Sequence, residues 1–207
     1  HRGATIIHNA EGTYNHQEKA VLLTVITRAE FNEFKYIMKK ALIVIDMQHD
    51  FIDGSLGTPE AQAILPKVKK LIEDGNYHKL IFTRDTHDED YLDTPEGKAL
   101  PVKHCIKGTN GWKIHEDLDV SRNDSIINKP TFGYMGWNTV FESLGSIDEV
   151  DIVGLCTDIC VITNALIIKT ECPNIKVNII ADATAGVTPE TKAHALAVAK
   201  SCQVNVI

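Results

Sequence analysis

The chain has 207 residues, is 43% hydrophobic and carries a formal net charge of -7 at pH 7, enough for one full domain with a buried core plus a small extra unit. Its charges are spread along the chain and lack the basic excess that draws nucleic acid or an anionic membrane, so neither is an expected partner. No apolar run approaches the roughly 20 residues that cross a bilayer, no signal-peptide layout is present, and five unevenly spaced cysteines fit a cytoplasmic protein with a free thiol better than a disulfide framework.

In chain order, stretches 4–7 and 20–26 read as strands around a polar turn, and the spacing of Phe31, Phe34 and Ile37 predicts a helix after them. A hairpin plus helix of this size is too small to stand alone. Residues 1–37 are therefore expected to be a fused, extracted or joined segment without activity of its own. Met38-Lys39-Lys40 and the apolar run after it read as the start of an independent domain, 38–207, whose first strand is buried on both faces.

From there strands and helices alternate: strand 41–46, helix 59–74, strand 79–84, a long irregular stretch, strand 125–128, helix 137–144, strand 149–154, helix 158–170, strand 176–181, helix 189–201 and strand 203–207. Repeated βαβ units imply an α/β three-layer sandwich, a mainly parallel sheet flanked by helices, with its site beyond the carboxyl ends of the strands. Asp46, Asp85, His87, Lys129 and Cys160 all fall at such strand ends. The connection 86–124 is longer than a passive loop needs to be.

Cys160 follows an apolar strand and is expected in the first turn of the next helix. There the helix dipole and unpaired N–H groups would lower a thiol pKa and stabilise an oxyanion. The plainer reading is a small buried hydrophobe, and that is the reading for Cys105, Cys172 and Cys202. No second ligand pair accompanies Cys156 and Cys160, which argues against a cysteine-based zinc site. A thiol nucleophile needs a base, and Asp46 is the best candidate; buried behind Ile43-Val44-Ile45, it needs a cation beside it, a need that Lys129 fits. Otherwise Asp46 is a turn cap and Lys129 a solvated lysine.

Three segments, Ile45-Asp46-Met47-Gln48-His49-Asp50-Phe51, Asn128-Lys129 and Gly154-Leu155-Cys156-Thr157-Asp158-Ile159-Cys160-Val161, resemble in kind and order the signatures of the nicotinamidase and isochorismatase-like hydrolases. The resemblance covers essentially everything after Lys39. It implies the isochorismatase-like hydrolase fold, a catalytic triad of Asp46, Lys129 and Cys160, and a cis peptide before Cys156 that turns the N–H groups of Cys156 and Cys160 into an oxyanion hole. Isochorismatases proper carry no cysteine at the nucleophile position, so Cys160 implies hydrolysis of a C–N bond. Residues 1–37 resemble the small soluble domain that ends some bacterial multi-pass membrane proteins.

Asp85 and His87, two apart on an extended segment, point the same way as paired metal ligands do. His104 resembles the family's other metal histidine, and Glu96 stands where some nicotinamidases have a fourth ligand, with Asp93 as the competing carboxylate. The implied cofactor is a divalent metal ion, zinc first, with iron and manganese as alternatives. His49, His115 and the remaining histidines have no such frame and read as surface residues or neighbours of the site. Phe51 and Trp137 are the expected walls of a flat substrate pocket.

The resulting expectation is hydrolysis of a small-molecule amide, nicotinamide, to nicotinic acid and ammonia: Asp46 deprotonates Cys160, a thioester forms, and metal-associated water releases the acid. The alternatives are a relative acting on an N-carbamoyl or ureido compound, and a non-catalytic binding protein that keeps the fold. By family analogy the protein is expected to form a homo-oligomer.

Overall fold

Six apolar stretches pair into a single sheet: β1 (Lys40–Ile45), β2 (Lys79–Asp85), β3 (Ser125–Lys129), β4 (Glu149–Leu155), β5 (Lys176–Ala185) and β6 (Asn205–Val206), in the order β3-β2-β1-β4-β5-β6. The structure, a computed structural model, describes residues 38–207; the hairpin and helix expected before them lie outside the described residues. Every pairing in the sheet is parallel. The strands that sequence patterning expects are all present, with β5 running four residues further than 176–181 and β6 reduced to a two-residue edge.

Alternation along the strands sorts the core into two layers. Ala41, Ile43 and Ile45 of β1 face α4 (Trp137–Leu144), α5 (Ile162–Glu171) and α6 (Pro189–Ser201), joined by Phe141, Ala165, Ile168 and Ala199. Leu42 and Val44 face the other way, onto α2 (Pro59–Asp74), which contributes Ala61, Ile64, Val68 and Ile72 at helical spacing. The Thr58 hydroxyl caps α2 by accepting from Ala61 N at 3.0 Å, and Thr188 caps α6 in a capping box with Thr191. No helix among the described residues is long and apolar enough to cross a membrane.

Two short helices escape the sequence reading, α1 (His49–Ile52) and α3 (Pro95–Ala99), together with a 3₁₀ turn at Tyr91–Asp93. A single turn carries too few residues for periodicity to register. The 3₁₀ turn and α3 give shape to the stretch 86–124, which is also closed on itself by a bridge between His87 and Ile106 and held by a second from Ile114 to Gln48, just beyond β1.

Gly154 explains how tightly the sheet closes next to the site. Its φ is +110°, and a Cβ there would stand 2.0 Å from the carbonyl oxygen of Ile45 on the neighbouring strand. Gly154→Ala should therefore cost about 3 kcal/mol or more, through a backbone clash and a disfavoured dihedral. Thermal melts check this, and a variant as stable as the parent would show that the β1–β4 contact can relax.

Candidate active site

The strand order reverses between β1 and β4, which opens a crevice at their carboxyl ends. Asp46 immediately follows β1, Lys129 ends β3, and Cys160 sits just beyond β4. Lys129 Nζ lies 2.6 Å from Asp46 Oδ2 and donates to Cys160 Sγ at 3.4 Å and to the Thr131 carbonyl at 3.2 Å. Lys129 and Asp46 are wholly buried and Cys160 is 6% exposed. The solvated-lysine reading of Lys129 is thereby removed.

Asp46 holds a left-handed φ of 48°, uncommon for a residue with a side chain. Thr83 locks it there: its hydroxyl accepts the Asp46 N–H at 3.2 Å and donates to Oδ1 at 2.6 Å. Oδ2 touches the Lys129 ammonium but has no aligned hydrogen-bond donor, which leaves it able to accept a proton.

Cys160 lies in a π-helical turn, Thr157–Val161, that precedes α5, rather than in the first turn of an α-helix. Such turns recur at functional sites because they re-aim side chains. The cis peptide that the resemblance implies joins Leu155 to Cys156. Asn164 fixes the turn by donating to the carbonyls of Cys160 at 2.8 Å and Phe132 at 3.0 Å, while its Oδ1 accepts from Tyr134 N and from the Trp137 indole.

The electrostatics correct one expectation. Burial first, and the charge of Asp46 second, push the Cys160 thiol well above its ordinary value despite Lys129. The first turn was expected to lower this pKa, but desolvation of the thiolate outweighs the turn's dipole. Burial also raises the Asp46 carboxyl above the usual carboxylate range, against the pull of Lys129. Burial works against the charge of Lys129, but Asp46, Cys160 and Asp85 outweigh it and hold its pKa above the normal lysine range.

A second cluster adjoins the first. Asp85, His87, Glu96 and His104 each offer a ligand atom, all within 4.8 Å of one another. Asp85 Oδ2 lies 2.8 Å from His87 Nε2 and 3.5 Å from His104 Nε2, and Glu96 Oε1 is 3.7 Å from His87 Nε2. His104 Nδ1 faces the Val102 carbonyl at 2.8 Å, which fixes the tautomer that leaves Nε2 free. Two imidazoles and two carboxylates around one point suit a borderline divalent ion. Asp93 is exposed and stands outside the group.

Asp85 belongs to both clusters, since its other oxygen, Oδ1, accepts from Lys129 at 3.4 Å. Burial would raise its pKa, yet His104, His87 and Lys129 hold it well below the usual carboxylate range. Gln48 secures its backbone, accepting from Asp85 N at 2.7 Å and donating to Asp85 O at 2.8 Å. Thr83, Gln48 and Asn164 were not singled out from sequence. The detectable signal was a polar residue buried inside an apolar strand or signature segment, which is costly unless hydrogen-bonded.

Both clusters open into a cavity of about 310 Å³ lined by Phe51, Leu56, Leu100, Phe132, Leu155, Ile159 and Val187 along its apolar wall, with Asp85, Glu96, His104, Cys156 and Cys160 on the polar side. Phe51 is where the sequence reading puts it. Trp137 is not: it is fully buried in the core, 5.6 Å from Phe141 ring to ring, because Asn164 satisfies its indole N–H inside the protein. Phe132, 45% exposed and outside the expected site, lines the cavity where Trp137 does not.

Residues 40–207 match the family described as "Isochorismatase domain", and residues 2–43 match one described as "Uncharacterized protein conserved in bacteria". The chain is 30% identical to a nicotinamidase/pyrazinamidase of Mycobacterium tuberculosis over 81% of its own length and 98% of that protein's. It is similar in structure to the pyrazinamidase of Pyrococcus horikoshii in complex with zinc, with a TM-score of 0.71 and 29% identity over 82% of this chain and 98% of that one. It is also similar to an N-carbamoylsarcosine amidase from Thermoplasma acidophilum, with a TM-score of 0.68 and 27% identity over 82% and 95% of the two chains. With a family match across its whole sheet and the corresponding arrangement of strands, the chain belongs to the isochorismatase domain family.

Proposed function

We propose that the protein is an amidohydrolase that converts nicotinamide to nicotinic acid and ammonia with Cys160 as nucleophile. The observation that carries this reading is Asp85, which joins the Asp46–Lys129–Cys160 group to a four-residue, metal-competent cluster inside one apolar cavity. A heteroaromatic carboxamide needs an apolar slot for its ring, an electrophile for its ring nitrogen and a nucleophile at its carbonyl. The cavity offers residue types for all three.

Asp46 takes the thiol proton as sulfur bonds to the carbonyl carbon, and the N–H groups of Cys156 and Cys160 receive the developing oxyanion. Asp46 returns that proton to the departing nitrogen, ammonia leaves, and a thioester remains on Cys160. Water, deprotonated by Asp46, then adds to the thioester, and the thiol is restored as the acid leaves. Lys129 keeps a positive charge beside Asp46 throughout, which lets the carboxylate exist in a buried site. A metal ion held by Asp85, His87, Glu96 and His104, for which zinc is the proposed identity, supplies a Lewis acid for the ring nitrogen.

The test is ammonia release from nicotinamide with and without chelator, alongside elemental analysis. Release that chelator stops, and His87→Gln losing about 10-fold or more in metal affinity, are the expected results. The likeness to N-carbamoylsarcosine amidase motivates a second reading, an N-carbamoyl amide substrate. Metal-free protein that cleaves such a compound and leaves nicotinamide intact would establish that reading instead.

A further inference from the structure

A third group of titratable side chains lies outside the cavity and has no part in the chemistry above. His49 opens α1, and both of its ring nitrogens face carboxylates: Nδ1 is 3.0 Å from Asp53 Oδ1, and Nε2 is 2.6 Å from Glu116 Oε2. The His115 ring stands 4.7 Å from the His49 ring, with its Nε2 3.8 Å from Asp53 Oδ2. One ligand atom from each of His49, His115 and Glu116 falls within 4.8 Å of the others.

A neutral imidazole donates from only one nitrogen. If Nδ1–H serves Asp53, the Nε2 lone pair points at the Glu116 carboxylate, and two electron-rich atoms 2.6 Å apart require a cation between or beside them. Among the described residues, no lysine or arginine forms an ion pair with Asp53, Glu116 or Asp117. A carboxylate on the far nitrogen of a histidine is also the usual support of a metal-bound imidazole. The two histidine side chains are only 13% and 11% exposed, so their positions are set by packing. Glu116 is 74% exposed and can back away to the separation that ligands around an ion adopt.

We propose that His49, His115 and Glu116, with Asp53 setting the tautomer of His49, form a second divalent transition-metal site, open to water in its remaining positions. Imidazole and carboxylate ligands suit zinc, copper or nickel. The ion clips the segment around residues 111–116 onto α1, reinforcing the backbone bonds His49 N to Lys113 O at 3.1 Å and His115 N to Met47 O at 2.9 Å. It thus braces the element that carries Phe51 to the cavity wall, while none of its own ligands lines that cavity.

The experiment is equilibrium dialysis of the full chain against Zn²⁺ with elemental analysis, in a Cys202→Ser background that silences the exposed thiol. The parent should hold two ions per chain. His115→Gln and His87→Gln should each hold one, the double variant none, and Glu116→Gln, a change at an exposed position that leaves the fold alone, should bind the second ion more weakly. One ion in the parent that survives His115→Gln and is lost in His87→Gln overturns the proposal and leaves a proton as the cation at His49. One ion that is lost in His115→Gln and kept in His87→Gln supports it while sinking the metal-assisted reading of the cavity.

Discussion

Cys160→Ala should lower amide turnover by about 10⁴-fold or more while leaving the melting temperature near that of the parent. In the proposed mechanism the sulfur supplies the bond that splits one difficult hydrolysis into two easier steps, and alanine supplies no nucleophile. Residual activity would come from the oxyanion donors and from substrate positioning. The loss should fall on kcat, with metal content unchanged, because the candidate ligands Asp85, His87, Glu96 and His104 lie together without the thiol. Assay of ammonia release and metal content on one preparation checks both halves. Turnover within ten-fold of the parent would reject covalent catalysis and move attention to direct attack by water.

Lys129→Met should destabilise the fold by about 3–5 kcal/mol, the cost of removing one partner from a buried ion pair, or roughly a 10 °C fall in melting temperature for a domain of this size. Lys129 is wholly buried, with Asp46 at 2.6 Å and Asp85 at 3.4 Å, so methionine leaves the buried Asp46 carboxylate without its cation, while Asp85 keeps His87 and His104 beside it. The Asp46 carboxyl is already raised by burial, and loss of Lys129 raises it further. A carboxyl whose folded pKa lies above its unfolded value, near 4, contributes stability below that unfolded value and loses it as pH climbs through the folded one. The deficit of Lys129→Met should therefore be largest at neutral pH and shrink as pH falls toward about 4. Adding Asp46→Asn should recover part of the stability and none of the activity. Melts from pH 5 to 8 decide the matter, and a deficit independent of pH would mean that Lys129 acts through packing alone.

The sequence by itself determined the parallel α/β architecture, the strand ends at which chemistry is exposed, and the residue types of the site. Apolar runs such as Ile43-Val44-Ile45 followed by a lone Asp46, and the strand before Lys129, are local patterns, and local patterns are what side-chain periodicity encodes. The pair Asp85 and His87 was legible for the same reason, because two residues on an extended segment point to one side. Trp137 shows the limit, since an aromatic beside a signature segment is core or pocket according to whether a distant Asn164 meets its indole.

Only the tertiary structure decided what those residues do to one another. Parallel pairing sets Asp85 opposite Lys129 on neighbouring strands, and that register makes one carboxylate serve both clusters. The raised pKa of the Cys160 thiol follows from how deeply the closed crevice buries it beside Asp46, and the facing of His49 and His115 follows from a segment folding back over α1. Charge interactions and desolvation depend on distance and burial in space, and the residues involved are separated by tens of positions along the chain. Sequence patterning reports on neighbours within a turn or a strand, so it names the groups at the site while the packing of distant strands sets their charges.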